Sequence, residues 1–324
     1  MNVHTAVRRY EHHFHAMGTE AGAWLWCNNQ QQARAALMQV QAYFARVEAR
    51  LSRFRPGSEL SRMNRSAGAP FSASPMLFAL VTQALAWRDA TDGLFDPTIL
   101  RALEASGYDR SFAEVAPEQA ARGPAAATPA AGADVLLGPG RTIRLPANVG
   151  IDLGGIAKGW AAQVAAQHLG MWGTALVDAG GDIATGGIPR QEAWVVTVAH
   201  PLEAGKEIAV VPLHNQAIAT SSRAARRWQV DGVAAHHLID PRTGAPAQNN
   251  VLSVTAVGRR LPDVEIHAKV ALILGEDEGA AYLSRLDSVA ALMTSEDGRS
   301  LMTGGFGEQA YVSTSRFAER FRAA

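Results

Sequence analysis

The chain has 324 residues, of which 48% are hydrophobic and 19% charged, a composition typical of a folded globular protein. Its 30 basic side chains balance 30 acidic ones, which gives no electrostatic reason to expect nucleic acid or an anionic membrane as the main partner. The single cysteine, Cys27, excludes an internal disulfide framework and a cysteine-based zinc site.

The N-terminal third predicts one strand followed by helices. EAGAWLWC (20–27) is predicted as a strand, and the long stretch after it as an amphipathic helix. Apolar residues of that helix recur three or four positions apart: Leu37, Val40, Phe44, Val47 and Leu51. FRPGSELSRMN (54–64) predicts a polar loop that leads to a short helical turn. Ser74 and Pro75 form a good N-cap and first-turn pair for another helix, which we expect to stop at Gly93.

Strands dominate the prediction for the second half of the chain. Four stretches are predicted to contain them: ALVDAGGDIATGG (175–187), AWVVTVAHP (193–201), KEIAVVPLHNQAIATS (206–221) and VLSVTAVG (251–258). Residues 265–286 predict a helical region interrupted at Gly275, and Asp297-Gly298 predicts the turn of a final hairpin. Residues 113–134, rich in Ala, Pro and Gly, predict a mobile surface linker. Because strands and helices mix without a regular βαβ repeat, the expected fold class is α+β.

The N-terminal segment lacks the features of a targeting signal. It has no continuous apolar region of the signal-peptide type and no lipobox cysteine, and no stretch approaches the roughly 18 apolar residues of a membrane span. As written, the chain is therefore expected to be cytoplasmic, or periplasmic if a longer precursor exists. We expect His12, His13 and His15 at the surface and not in a catalytic metal site.

Seven short motifs combine glycine, proline and isolated charges: HAMGT (15–19), LSRFRPGSELSRMN (51–64), DGLFDPT (92–98), IDLGGIAKGW (151–160), VDAGGDI (177–183), AIATSS (217–222) and HHLIDPRTGAP (236–246). In the fourth, the paired glycines let backbone groups approach a phosphate, and Lys158 adds a cation beside it. Asp152 of the same motif can accept hydrogen bonds from a ligand amine or hydroxyl. The alternative is a strand-to-helix turn in which Asp152 caps the helix and Lys158 is solvated.

Taken in this order, the motifs resemble the ApbE family of FAD:protein FMN transferases. The resemblance implies an α+β, two-lobed fold with mixed or antiparallel sheets and packed helices. It describes 1–324 as a single domain, with an N-terminal lobe at about 14–112, the linker at about 113–134 and a C-terminal lobe at about 135–324. It also implies an enzyme that cleaves FAD, joins FMN to a Thr or Ser hydroxyl within a short motif of an acceptor protein, and releases AMP.

The family's flavin-contacting positions map onto seven residues here: Met17, Phe54, Phe95, Asp96, Asp152, Lys158 and Ile239. Phe54 stands where many members have a ring that covers the isoalloxazine. The resemblance also makes His237 the candidate general base for the acceptor hydroxyl, a task that suits an imidazole at neutral pH. The alternative for His237 is a satisfied core or surface histidine. His236 is expected to point to the opposite face of a strand, without a catalytic role.

The resemblance further implies Mg²⁺ held by an Asp and a Thr four residues apart, together with a backbone carbonyl near Gly155. In the aligned stretch EIHAKVALILG, Glu265 and Lys269 stand at those two positions, and on a helix they share one face. In one interpretation Lys269, paired with Glu265, supplies the positive charge that Mg²⁺ would bring, and both act in catalysis. In a second, the site is inactive and the protein is an FAD-binding carrier. In a third, the two residues form an exposed helix ion pair.

We expect an active transferase in which Glu265 and Gly155 offer at most a weak metal site and Mg²⁺ dependence is altered. A pyrophosphatase that releases FMN and AMP to water is the remaining alternative.

Overall fold

The computed structural model describes residues 6–119, 132–188, 192–224 and 226–312. The α-helices in these ranges are α1 (Gln30–Leu51), α2 (Glu59–Arg65), α3 (Pro75–Ala90), α4 (Leu100–Ala105), α5 (Ala157–Gly170), α6 (Leu261–Leu274), α7 (Glu276–Ser284) and α8 (Phe306–Gln309). Short 3₁₀ turns occupy Phe112–Glu114 and Pro139–Arg141. None of these helices is long and apolar enough to cross a membrane, within the part of the chain that is described.

The strands in the same ranges are β1 (Arg8–Ala16), β2 (Thr19–Cys27), β3 (Pro70–Ser72), β4 (Glu118–Gln119), β5 (Leu136–Gly138), β6 (Thr142–Arg144), β7 (Thr174–Ala179), β8 (Ile183–Gly186), β9 (Trp194–Ala199), β10 (Glu207–Leu213), β11 (Ala217–Ser222), β12 (Arg227–Val230), β13 (Val233–His236), β14 (Ile239–Asp240), β15 (Ala245–Pro246), β16 (Val251–Gly258), β17 (Ala290–Ser295), β18 (Ser300–Thr303) and β19 (Tyr311–Val312). Helices occur together with sheets whose strand pairs are mainly antiparallel, so the predicted α+β class is confirmed.

Two compact units divide the chain. The first consists of Met1–Arg46, Lys158–Ser221 and Asn250–Ala324, and the second of Val47–Ala157 and Ser222–Asn249. Each unit is therefore assembled from stretches that are distant in sequence. These boundaries differ from those of the contiguous lobes expected from the sequence, because the N-terminal strand β2 pairs with β7 from the middle of the chain.

The first unit is built around a sheet whose eight strands, counted over the described residues, run in the order β1-β2-β7-β8-β11-β16-β17-β18. β1 and β2 form an antiparallel hairpin that turns at Met17 and Gly18, both with positive φ. The strands predicted at 20–27 and 251–258 are confirmed as β2 and β16. The predicted final hairpin is also confirmed, since β17 and β18 are antiparallel and Gly298 has a φ of 80° in the turn.

A second sheet of this unit joins β9, β10 and β19. Buried residues from both sheets, including Val198, Val211, Ile218 and Leu292, form one hydrophobic cluster. Burial of apolar surface of this kind is the dominant favourable contribution to folding, so the cluster fixes the two sheets against each other.

The predicted helices are confirmed. α1 covers the amphipathic stretch, and all five of its regularly spaced apolar residues are buried. The helical region at 265–286 is α6 followed by α7, separated at Gly275, whose φ of 87° no longer fits a helix. α6 begins earlier than the pattern suggested, at Leu261, with Pro262 in its first turn. Proline is tolerated there because the first N–H groups of a helix have no intrahelical partner.

The second unit contains smaller sheets: β3 with β5 and β6, β4 with β12 and β13, and the β14–β15 pair. Its hydrophobic cluster includes Leu103, Tyr108, Trp228 and Ile239. Residues 113–134 were predicted to be a mobile surface linker, and this prediction is wrong for residues 113–119, which contain a 3₁₀ turn and a strand.

The first part of the Ala/Pro-rich stretch is structured. β4 pairs in parallel with β12, with Glu118 opposite Gln229. The Gln119 side chain donates to the Gly107 carbonyl at 3.3 Å, and Glu118 Oε1 accepts from the Gly232 N–H at 3.2 Å. A two-residue strand is too short to show apolar periodicity, so the sequence could not reveal it. Residues 120–131 lie outside the described residues.

Glu59 fixes the start of α3. Ser74 is the N-cap, and its side-chain oxygen accepts a hydrogen bond from the Leu77 N–H at 3.3 Å. The Ser74 N–H donates to Oε1 of the buried Glu59, and the Ser74 hydroxyl donates to Oε2, both at 2.6 Å. The predicted N-cap is confirmed, although the helix ends at Ala90, short of Gly93.

Replacing Ser74 by alanine removes the helix cap and one hydrogen bond to the buried Glu59. We expect Ser74→Ala to lower the free energy of unfolding by about 1–3 kcal/mol, because the lost cap and the under-satisfied carboxylate both contribute. Thr82→Ala is the matched control, since Thr82 is exposed in the same helix and its hydroxyl only returns to the Phe78 carbonyl. Urea unfolding measures both variants, and equal midpoints would contradict this role of Ser74.

Candidate functional site

In the second unit, Arg53 lies against two aromatic rings. Its guanidinium carbon is 4.1 Å from the ring centroid of Phe54 and 4.6 Å from that of Tyr108. Nη2 donates to the Tyr108 carbonyl at 2.7 Å, and Nε is 2.7 Å from Asp152 Oδ2. Cation–π contacts strengthen when they are withdrawn from water, and the Arg53 side chain is only 6% exposed. Phe54, a predicted flavin contact, keeps 37% of its surface exposed.

The loop that carries Asp152 is fixed by hydrogen bonds. The Asn64 amide donates to the Ile151 carbonyl and accepts from the Ile151 N–H, both at 2.8 Å. The Asp152 N–H donates to the Pro97 carbonyl at 2.8 Å. Asp152 Oδ1 accepts from the Gly154 N–H at 2.8 Å, so the carboxylate turns back onto its own loop. The helix-cap interpretation of Asp152 is therefore wrong, because it caps this loop and α5 begins later.

Phe95 and Asp96, two further predicted flavin contacts, are buried, with exposed fractions of 5% and 3%. Asp96 Oδ1 accepts from the N–H and the hydroxyl of Thr98, each at 2.7 Å, and Oδ2 accepts from the Gly132 N–H. The carboxylate therefore organises its own turn. A direct contact of Asp96 with flavin stays a prediction.

His237 lies half-buried, just past the end of β13. Its ring is edge-on to Tyr108, with the centroids 6.5 Å apart. The neighbouring His236 is buried, with Nε2 3.0 Å from the Ala247 carbonyl, and its Nδ1 accepts from the Leu238 N–H at 3.3 Å. This pattern requires a neutral ring with a proton on Nε2. His236 therefore has a structural role, whereas the catalytic role of His237 stays a prediction.

Ile239 and Asp240 form the short strand that follows His237. Ile239 is 2% exposed and packs in the hydrophobic cluster with Tyr108 and Trp228. A side chain so buried offers a ligand little surface. Asp240 binds Arg242 through both carboxylate oxygens, with the closest pair at 2.8 Å. The N–H groups of Thr243 and Gly244 both donate to the Asp240 carbonyl, at 3.2 and 2.8 Å, so residues 240–244 form a hydrogen-bonded turn.

In the first unit, two lysines surround the buried carboxylate of Glu265. Lys158, in the first turn of α5, is ion-paired with Asp182 and lies 3.7 Å from Glu265 Oε1. Lys269 Nζ is 4.0 Å from the same oxygen, so the predicted pairing of Lys269 with Glu265 is confirmed. Glu265 Oε2 accepts from the Gly159 N–H at 3.1 Å.

Two interpretations of these lysines are wrong. The Glu265–Lys269 pair is not an exposed helix pair, because the two side chains are 6% and 15% exposed. Lys158 is not solvated, since its side chain is 18% exposed and contacts two carboxylates. Apolar periodicity could not show this, because α6 is buried on nearly all its faces.

Burial controls protonation in this cluster. It raises the pKa of Glu265, and the neighbouring ammonium groups of Lys158 and Lys269 oppose that rise. Burial also raises the pKa of Asp178, whose Oδ1 accepts from the Gly181 N–H at 2.7 Å. The lysines therefore offset part of the cost of keeping carboxylates out of water.

The residues around Glu265 do not fit a magnesium site. Mg²⁺ requires several oxygen ligands in a near-octahedral arrangement at about 2.0–2.1 Å. Glu265 Oε1 faces the ammonium groups of Lys158 and Lys269 instead, and Oε2 is bonded to a backbone N–H. Over the described residues, no group of three or more His, Cys, Asp or Glu side chains is arranged to hold a metal.

Met17 and Gly155, the remaining predicted site residues, each lie half-buried in a turn. Met17 has a φ of 54° in the β1–β2 hairpin, an uncommon value for a residue with a side chain. Gly155 precedes α5. Their contacts with flavin and with a metal stay predictions.

Sequence reasoning missed Arg53, Tyr108 and Asp182. Asp182 stands inside VDAGGDI, where Gly180 and Gly181 have positive φ and turn the chain between β7 and β8. The VDAGGDI motif was therefore the sequence signal from which Asp182 could have been identified. Arg53 also stands inside a motif, but there it resembles an ordinary surface charge. Tyr108 lies in no motif, and only the folded chain identifies it.

A family model described as the ApbE family matches residues 17–293. The chain belongs to the ApbE family. A Treponema pallidum protein named FAD:protein FMN transferase is 31% identical over 312 residues, which cover 88% of this chain and 84% of that protein. A Vibrio cholerae protein of the same name is 29% identical, with 76% and 75% covered. The crystal structure of the ApbE protein from Thermotoga maritima matches with a TM-score of 0.82 at 26% identity, covering 93% of this chain and 99% of that one. The expected ApbE-like fold is confirmed.

Acid should destabilise the protein through His236. Burial lowers the pKa of His236 to about 4, the hydrogen bond to the Ala247 carbonyl opposes this, and Arg223 and Arg227 lower the pKa further. The unfolded chain, with an ordinary pKa of about 6.5, takes up the proton first. The stability contribution of the neutral ring is therefore complete above about pH 6.5 and is lost progressively toward pH 4. We expect this residue to account for a loss on the order of 1 kcal/mol between about pH 7 and pH 5.

Urea unfolding at the two pH values measures this loss. His236→Gln keeps an amide donor for the Ala247 carbonyl and does not titrate, so its loss should be smaller than that of the wild type. His13→Gln is the matched control, because the His13 side chain is 61% exposed and its replacement should leave the loss unchanged. Equal losses in the wild type and His236→Gln would contradict the assignment.

Proposed function

We propose that this chain is an FAD:protein FMN transferase. The oxygen of a Thr or Ser hydroxyl on an acceptor protein forms a bond to the phosphorus of the FMN half of FAD. The P–O bond of the pyrophosphate breaks, and AMP leaves. The hydroxyl proton passes to a base, and the acceptor keeps FMN through a phosphoester. No electrons are exchanged in this step.

Similarity over most of the chain to proteins of that name is the observation that carries the proposal. The Treponema pallidum and Vibrio cholerae relatives are named FAD:protein FMN transferase, and this chain spans 84% and 75% of their lengths. The family match at 17–293 contains every candidate residue, from Met17 to Lys269. The region of similarity therefore includes all the candidate residues.

The chemistry of each unit supports the same proposal. Phosphoryl transfer requires a protein mainly to position phosphates and to stabilise charge. In the first unit, Lys158 and Lys269 supply two ammonium groups in a setting of low exposure. In the second unit, the exposed part of Phe54 suits stacking on a flat isoalloxazine ring, and Asp152 suits a ligand amine or hydroxyl.

His237 is the proposed general base for the acceptor hydroxyl. It is half-buried beside the ring of Tyr108 and follows directly on the hydrogen-bonded His236. It lies between the end of β13 and the turn in which Arg242 is ion-paired with Asp240. A base held between two hydrogen-bonded segments needs little reorganisation to act on the acceptor.

Mass spectrometry of an acceptor incubated with FAD tests the transfer. A co-expressed acceptor with a Thr-containing motif should gain the mass of one FMN unit, with an equal amount of AMP. His237→Ala should slow the transfer by about 10²–10⁴-fold and leave FAD binding intact, because a general base contributes about that much. An acceptor whose motif Thr is replaced by Ala is the control and should gain no mass.

The other possible outcomes of this experiment each indicate a different function. AMP release without an adduct on the acceptor would indicate an FAD pyrophosphatase. FAD binding with neither product would indicate a flavin carrier. Either result would contradict the transferase proposal.

We propose further that transfer depends little on added Mg²⁺. Lys158 and Lys269 both lie within 4.0 Å of Glu265 Oε1, so a divalent ion would have to displace these ammonium groups from that oxygen. The same groups supply positive charge without a metal, although an ammonium is a weaker charge than a divalent ion.

Turnover of the wild type should therefore survive EDTA, with AMP release reduced by less than about twofold. Lys269→Met should lower turnover by about tenfold or more, because it removes a positioned cation while keeping similar side-chain volume. Lys206→Met is the matched control, since Lys206 is 67% exposed and pairs only with nearby Glu203 in the structure described. Complete loss of AMP release in EDTA, restored by Mg²⁺, would refute this proposal.

A further inference from the structure

We infer that Arg53 is a positioning residue for the FAD-binding surface of the second unit, an inference that rests on the function proposed above. Its guanidinium holds two candidate ligand contacts at once, the ring of Phe54 and the carboxylate of Asp152. Arg53 itself is 6% exposed at its side chain, so its effect on a ligand passes through these neighbours.

The guanidinium and two rings form a closed triangle. The guanidinium carbon is 4.1 Å from the Phe54 centroid and 4.6 Å from the Tyr108 centroid, and the two centroids are 5.6 Å apart, with the ring planes at 58°. Tyr108 is buried and belongs to the hydrophobic cluster of the unit, so the position of its ring is fixed by packing. Phe54 is exposed enough to be mobile unless the cation beneath it holds its ring. Arg53 therefore links an exposed ring to the core.

The same guanidinium also orients Asp152. Nε contacts Asp152 Oδ2 while Nη2 donates to the Tyr108 carbonyl, both at 2.7 Å. The Asp152 side chain is 13% exposed, and its other oxygen is held by the Gly154 N–H. With both oxygens held, the carboxylate has one orientation in which its remaining lone pairs can meet a ligand.

Lysine cannot replace arginine here. The planar guanidinium donates in two fixed directions and presents flat faces to aromatic rings, whereas an ammonium is a compact point charge. Arg53→Lys keeps a positive charge beside Asp152 and so avoids an uncompensated carboxylate. It loses the simultaneous contacts to Asp152, the Tyr108 carbonyl and both rings.

Arg53→Lys should therefore weaken FAD binding more than it slows chemistry. Phe54 and Asp152 would contact FAD equally in the ground and transition states, so a change in their positions acts on uniform binding. We expect the Kd and the KM for FAD to rise by about tenfold, with kcat for AMP release changed by less than about twofold. Flavin fluorescence gives Kd, and steady-state AMP release gives KM and kcat.

Arg55→Lys is the matched control. Arg55 lies in the same motif, but its side chain is 55% exposed and contacts Glu48 at 3.4 Å. It should leave both constants unchanged. A merely structural role for Arg53 would instead lower the melting temperature and kcat of Arg53→Lys, because fewer molecules are folded, and would leave KM at the wild-type value. That result, or wild-type Kd and KM, would overturn the inference.

A second pair of variants covers the case in which Arg53→Lys does not fold. Arg53→Met combined with Asp152→Asn leaves neither buried charge without its partner, and it is compared with Asp152→Asn alone. A higher Kd for FAD in the double variant supports the inference, because Phe54 has then lost its cation. Equal Kd values overturn it. Failure of the wild type to bind FAD would refute the proposed function instead, so the two failures are distinguishable.

Discussion

The buried carboxylate of Glu265 is the constraint around which the charged residues of the first unit are arranged. It is 4% exposed, and a carboxylate kept out of water is destabilising unless it is paired and hydrogen-bonded. Lys158 and Lys269 supply the charge, and the Gly159 N–H supplies the hydrogen bond. A Cβ at position 159 would collide with Glu265 Oε2. Because Gly159 of IDLGGIAKGW has no side chain, the carboxylate can approach the backbone of α5.

The second unit meets a similar constraint with different groups. The buried Arg53 is satisfied by Asp152, by the Tyr108 carbonyl and by two aromatic faces. In both units the polar groups are oriented by other groups of the protein. Groups that are already oriented need little reorganisation when charge develops during a reaction, which is the main way proteins stabilise transition states electrostatically.

Prediction from sequence succeeded where a residue's near neighbours decide its structure, as at the Ser74 cap and the Gly298 turn. It failed where the partner is remote. The pairing of Lys158 was not predicted, because its partner Asp182 lies 24 residues away. The strand at Glu118 was missed for the same reason, since its pairing partner is β12. Family resemblance, and not periodicity, supplied the candidate site residues, and it could not supply their burial or their neighbours.

If Lys158 binds a phosphate, as proposed above, that phosphate has to compete with the carboxylates of the protein. Its ammonium already contacts Asp182 and Glu265, so a phosphate gains only the difference between its own attraction and theirs. With Lys269 the count is two cations against two carboxylates, which leaves little net charge to attract a diphosphate. Under the proposed function, the lysines would therefore contribute most when negative charge grows on the leaving phosphate, and interactions that strengthen in the transition state are the ones that raise kcat.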